Sequence, residues 1–274
     1  MRKTRHSALF ATLFAMLVTL VVMPFSSNTY ASAETLQAVH KTKLLVFETA
    51  ASFHKYQGSE GDPSKRKIVD EKVTELKEQL ASVETLLTDL SLEAEKKALK
   101  NNWKTMSKNL SIALAAIKRS GFAEFQVIDS YLSTSNEIIK SLDHSYEQIK
   151  DSTGYKVPLV VQDLRNLTIT MERMAAKYIE RANSQFGASN RSGQEDTDTI
   201  DTLAARFSKN LNKIKLTTPT TSNRYEKLSK IQTKWAFLEK SFLNYTERTV
   251  PYLVTKFGSQ ITKDLNDMAN QAEK

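Results

Sequence analysis

The chain has 274 residues, with 39 Lys and Arg against 31 Asp and Glu, a net charge of +8, and no cysteine. The missing thiol excludes disulfides, thiolate metal sites and c-type haem attachment. Seven glycines and five prolines are too few for the many tight turns of a β-sandwich or barrel.

Residues 1–33 read as an export signal. Arg2, Lys3 and Arg5 form a positive n-region, Ala8 to Met23 is an apolar run, and Ala31-Ser32-Ala33 is a small-x-small cleavage site. Cleavage after Ala33 is expected to release a soluble periplasmic product. It removes three basic residues and no acidic one, which lowers the net charge to +5. Nothing after Ala33 approaches the roughly 18 unbroken apolar residues of a membrane span. The compartment, together with this weak charge, excludes nucleic acid as a partner.

Beyond the signal, apolar residues recur at steps of three and four, the mark of one helix face. Helices are predicted over 35–57, 64–90, 92–120, 122–151, 158–186, 197–215, 222–249 and 251–271. The second keeps its seam from Val69 through Leu76 and Val83 to Leu90. The third runs Leu99, Trp103, Met106, Leu110, Ala113 and Ile117, and the fourth runs from Phe125 to Ile149. Seams return in Val160, Leu164, Leu167, Met171, Met174 and Tyr178, and in Leu228, Ile231, Trp235, Leu238, Phe242 and Tyr245. Pro63, Pro158 and Pro251 suit first helical turns, Gly121 suits a C-terminal cap, and Ala188 to Thr199 reads as a solvent loop. The fold expected is all-α: an elongated antiparallel bundle of about eight helices, as one body or as two four-helix units over 34–154 and 155–274. Each half carries one seam tryptophan, Trp103 and Trp235, and both are expected to be largely buried. Laying Phe47-Glu48 over Met171-Glu172 pairs the two first helices, which is consistent with a gene duplication.

Enzymatic signatures are missing. There is no Gly-x-Ser-x-Gly, His-Glu-x-x-His or phosphate loop, and no catalytic residue is assigned. No metal site or cofactor is expected either: His40 and His54 lie four turns apart on one helix, about 21 Å at 1.5 Å per residue, too far to share an ion. Met106, Met171 and Met174 sit at seam spacing, as core filler does. The basic residues of the fifth helix are the candidate binding group. Arg173, Lys177 and Arg181 are four apart and form one stripe beside the Met171/Met174/Tyr178 seam, able to hold a small anionic ligand or to serve as a soluble flank.

The segment NLTITMERMAAKY, Asn166 to Tyr178, resembles the Gly-Arg-Gln-Arg-Met-Leu-Ser-Gln-Arg stretch of the periplasmic N-terminal module of type IV pilus methyl-accepting chemoreceptors, the PilJ type. Glu172-Arg173-Met174 stands where that motif has Gln-Arg-Met, with Thr170 for its glycine and Met171 for its first arginine. Lys234-Trp235-Ala236-Phe237 and Val250-Pro251-Tyr252-Leu253-Val254 resemble the end of such modules. The resemblance implies a helical bundle, often in tandem copies, related to nitrate and nitrite sensor domains that bind an anion through a similar arginine. Arg173 is the residue that carries over. With no receptor span of its own, such a chain is expected to act as a solute-binding or sensory accessory to a membrane chemoreceptor. The alternative is an adaptor bundle for another cell-envelope protein, without a small ligand.

Overall fold

The computed structural model describes residues 25–183, 198–246 and 249–273. Among them are eight helices and no strand: α1 Phe25–Gly58, α2 Pro63–Asp89, α3 Glu93–Ser120, α4 Phe125–Thr153, α5 Leu159–Asn183, α6 Ile200–Thr217, α7 Asn223–Leu243 and α8 Pro251–Glu273. The protein is an all-α helical bundle. The expected leader lies outside the described residues up to position 24, as does the expected solvent loop up to 197.

Local chemistry sets the boundaries. Pro63 opens α2 behind Asp62, whose carboxylate accepts from the Ser64 N–H at 2.7 Å. Gly121 closes α3 at φ 77°, a left-handed conformation in which a side chain would be strained. Two ends differ from expectation. α1 starts at Phe25 rather than 35 and runs through Ala31-Ser32-Ala33 without a break. α7 stops at Leu243 rather than 249, where the Asn244 N–H caps the Lys240 carbonyl. The β-branched Thr249 and Val250 lead into Pro251, whose ring disfavours α conformation at the residue before it.

Short connections make successive helices antiparallel neighbours. α1 packs on α2 and α4, and α3 packs on both of those, which closes a ring of four; α5, α6, α7 and α8 close a second ring in the same order. The buried apolar residues fall into two clusters, one from Leu36 to Ile149 and one from Val161 to Ala269. The rings join along α1 and α5. These two helices run parallel, because His40 meets Thr168, His54 meets Glu180 and Gly58 meets Asn183. At Gly58 an added Cβ would fall 2.5 Å from the Asn183 Cβ, so glycine permits the close approach there.

The tryptophans part company. Trp235 is 4% exposed, lies between Phe207 and Phe242 at ring separations of 4.5 and 5.7 Å, and donates its indole N–H to Ser208 Oγ at 2.8 Å. Trp103 is partly buried, packed against the edge of the first core rather than within it. It flanks the seam that Leu99, Met106 and Leu110 fill.

Candidate functional site

Because α1 and α5 each face two cores, polar residues on them lose their access to water. His40 on α1 points its Nε2–H toward Asn266 Oδ1 on α8 (3.0 Å) and Thr168 Oγ1 on α5 (3.0 Å), while the Thr168 hydroxyl donates to the Arg165 carbonyl (2.7 Å). Burial outweighs the Asn266 bond and, with the nearby Arg165 and Lys43 charges, pushes the His40 pKa down to about 3. The imidazole is therefore neutral at physiological pH. Deeper along the seam, Glu172 is 8% exposed. Burial first and the Glu48 carboxylate second raise its pKa to about 7, against the weaker pulls of the Thr262 hydroxyl, Lys72 and Lys55. The Thr262 hydroxyl is buried without a hydrogen bond of ordinary geometry, so its hold on Glu172 is slight. Glu48 itself is bound by Lys72 at 2.6 Å, and the same ammonium reaches Glu75 at 3.0 Å.

At the far end of the seam, Arg165 is 3% exposed and donates from Nη2 to Glu273 Oε2 at 2.5 Å. Among the described residues its Nε and Nη1 have no hydrogen-bond partner, and neither does Glu273 Oε1. The Tyr146 phenol faces the guanidinium, but burial still holds that phenol above its ordinary range. A buried ion pair with open donors is weakly stabilising at best, because desolvation opposes the Coulomb gain.

The stripe on α5 is split by the structure. Arg173 Nη1 donates to Asp198 Oδ2 at 2.9 Å and Lys177 Nζ donates to the Asp198 carbonyl at 2.7 Å. Arg206 also grips Asp198, at 2.8 and 3.0 Å. These charges hold the Asp198 carboxyl below its ordinary range, the Arg206 bonds most of all. Arg181 turns elsewhere: its Nε donates to the Tyr245 carbonyl at 3.0 Å and its guanidinium lies 5.1 Å from the Tyr245 ring centre. Arg173 and Lys177 thus fasten the start of α6, while Arg181 fastens the turn after α7.

Beside the first two lies a cleft of about 70 Å³ where α1, α4 and α5 meet. Val46, Phe47, Leu132 and Ile139 form its apolar wall, and His54, Asn136, Arg173, Lys177 and Glu180 its polar one. His54 is buried, with Nδ1 3.0 Å from Gln57 Oε1 and Nε2 3.8 Å from Glu180 Oε2. Such a volume accommodates a few water molecules or a small ion rather than a drug-sized molecule. Among the described residues no three His, Asp or Glu side chains converge as metal ligands do, and no helix is long and apolar enough to cross a membrane.

Sequence reasoning singled out Arg173 and Lys177, which do border the cleft, and missed the titrating groups of the seam. His40 carries no motif, and Glu172 entered only as part of the Glu172-Arg173-Met174 stretch, not as a titrating group. The available signal was their place on the two helices that the overlay of Phe47-Glu48 on Met171-Glu172 pairs.

The fold defines a class, two antiparallel rings of four helices joined along parallel first helices, and its site is a buried polar seam with a small cleft at one side. No protein-family model, curated protein or solved structure matches the chain.

Proposed function

We propose that this chain is an exported, non-enzymatic helical-bundle protein of the bacterial periplasm, freed by cleavage after Ala33, that works as a solute-binding or sensory accessory to an envelope receptor. The observation that carries this reading is the cleft between α1, α4 and α5, which opens at the junction of the two helix sets and is bordered by Arg173 and Lys177. A solute seated there touches α1 and α4 from one set and α5 from the other, so binding couples to their relative position. The cleft volume favours a small anion, and the likeness of Glu172-Arg173-Met174 to the PilJ-type motif points to chemoreceptors of type IV pili and chemotaxis as the systems served. An adaptor role without a ligand is the second reading, favoured by the use of Arg173, Lys177 and Arg181 in intramolecular bonds.

Thermal denaturation of the purified protein against a panel of inorganic anions and small carboxylates separates the two. A ligand that binds the native state at a hundred times its Kd stabilises by about 2.7 kcal/mol. A shift for one anion, abolished by Lys177→Gln, supports the solute-binding reading. A flat panel supports the adaptor.

A further inference from the structure

Exposed aromatic rings gather at one end of the molecule. Gly61 lies against Ile117 and Gly121 against Glu60, while the Tyr178 hydroxyl accepts from the Val250 N–H at 2.8 Å. These contacts, with the parallel course of α1 and α5, bring the α1–α2, α3–α4 and α7–α8 connections to the same end. There Phe122 is 47% and Phe125 36% exposed at the α3–α4 turn, and Phe237 is 57% and Tyr252 72% exposed where α7 meets α8. The opposite end exposes the aliphatic Leu159 and Leu216 but no aromatic ring to this degree among the described residues.

Cations accompany the rings. Lys118 and Arg119 close α3 next to Phe122, and Lys240 and Lys256 stand beside Phe237 and Tyr252. All four are exposed, and none is within ion-pair distance of a carboxylate among the described residues. Lys256 stands 5.9 Å from the ring centres of both Tyr252 and Phe257, and Phe257 meets Phe237 edge-on at 5.2 Å. Asp62 at this end caps α2 and is exposed. Glu60 and Glu124 add negative charge at the α3–α4 side, so the α7–α8 edge is the more positive part of the surface.

We propose that this end of the molecule docks on an anionic lipid surface, with the α7–α8 edge as its main contact. Phe237 and Tyr252 are the most exposed of these rings, at 57% and 72%. A ring with one wet edge is favoured at the boundary between headgroup and acyl chain, and lysine stems lie along that boundary with their ammonium groups on lipid phosphate. Positive charge without local compensation selects an anionic bilayer, because each lysine near such a surface adds attraction that salt screens. No described helix is apolar enough to span the bilayer, so the contact is peripheral and reversible. This inference is independent of whether the cleft holds a solute.

The test is co-sedimentation of the full chain with vesicles of phosphatidylcholine alone and of equal parts phosphatidylcholine and phosphatidylglycerol. The readout is the difference between the two, and the variants below separate the α7–α8 edge from an uncleaved leader, whose Arg2, Lys3 and Arg5 are themselves drawn to anionic lipid. The expected result is preferential binding to the mixed vesicles that weakens with added salt. Lys240→Gln with Lys256→Gln should lower that binding about tenfold. Phe237→Ser with Tyr252→Ser should lower it several-fold without moving the melting temperature, since both rings are exposed. No preference for the mixed vesicles, or a preference the ring pair does not change, overturns the proposal. Equal displacement by soluble polyglutamate also overturns it and assigns the surface to an acidic protein.

Discussion

The outer helices and the central pair obey different rules. In α2 and α7 the buried positions are all apolar, Val69, Leu76, Leu80, Val83 and Leu87 in one and Leu228, Ile231, Trp235, Leu238 and Phe242 in the other, and polar residues take the solvent face. α1 and α5 lie between two cores and bury polar groups as well: Thr42, Thr49, His40 and His54 on α1, and Arg165, Thr168 and Glu172 on α5. The hydroxyls solve this locally. Thr42, Thr49 and Ser52 each donate to the carbonyl four residues back, at 2.7 to 2.8 Å. Ionisable groups have no such exit and shift their titration instead. Stability in the outer helices is therefore a matter of packing, and in the central pair it also depends on protons.

The sharpest contrast within the packing rule is between the tryptophans. Trp235→Ala should cost about 3–5 kcal/mol, since it empties the space between Phe207 and Phe242 and takes the indole donor from Ser208, which keeps only its bond to Glu239. Gly58→Ala should cost about 1–3 kcal/mol, because its Cβ would overlap Asn183 where the two central helices approach. Trp103→Ala, at the edge of the first core, should cost only about 1–2 kcal/mol. Gly258→Ala tests the smallest effect. Its Cβ would sit 3.8 Å from Met171 Sδ, an ordinary contact, so removing glycine from the middle of α8 should stabilise by about 0.5–1 kcal/mol. Urea unfolding of the four variants checks the order; equal losses for the two tryptophans would break the distinction between core and edge.

The outer helices were legible in the sequence for the reason that makes them simple. One apolar face against one core leaves a three-and-four repeat, and that repeat located α2, α3, α4 and α7 together with their seam residues. α1 shows no comparable seam. Residues such as Leu44, Leu45 and Val46 are buried in succession because successive directions around the helix all meet protein, and periodicity carries no signal there. The same cause hid His40 and Glu172, whose burial comes from the meeting of the two helix sets rather than from either helix pattern. Arg173 and Lys177 were legible as a stripe, but their shared engagement with Asp198 depends on where α6 begins, and Arg181 leaves the stripe because Tyr245 follows a helix that ends six residues earlier than its pattern. Trp103 shows the converse: a seam position in sequence becomes an edge position when Met106 and Leu110 fill the interior first.

The central claim, that the seam between the two helix sets is governed by protonation, has a definite sign. His40 is depressed from 6.5 to about 3 in the fold, so the unfolded chain binds its proton more readily and stability rises with pH from about 3 to 6.5. Glu172 is raised from 4.5 to about 7, so the folded chain holds the proton longer and stability falls as pH rises from about 4.5 to 7. Between about 4.5 and 6.5 the two slopes oppose each other, and wild-type stability should be nearly level there as far as these groups govern it. The direct measurement is the unfolding free energy of wild type and Glu172→Gln by urea titration at steps from pH 4 to pH 8. Glutamine keeps the size and removes the ionisation, so the variant should gain on the wild type by about 3 kcal/mol over that range, with the gain complete just above pH 7. Curves that stay parallel from pH 4 to pH 8 would contradict the account, since Glu172 would then titrate alike in the folded and unfolded chain.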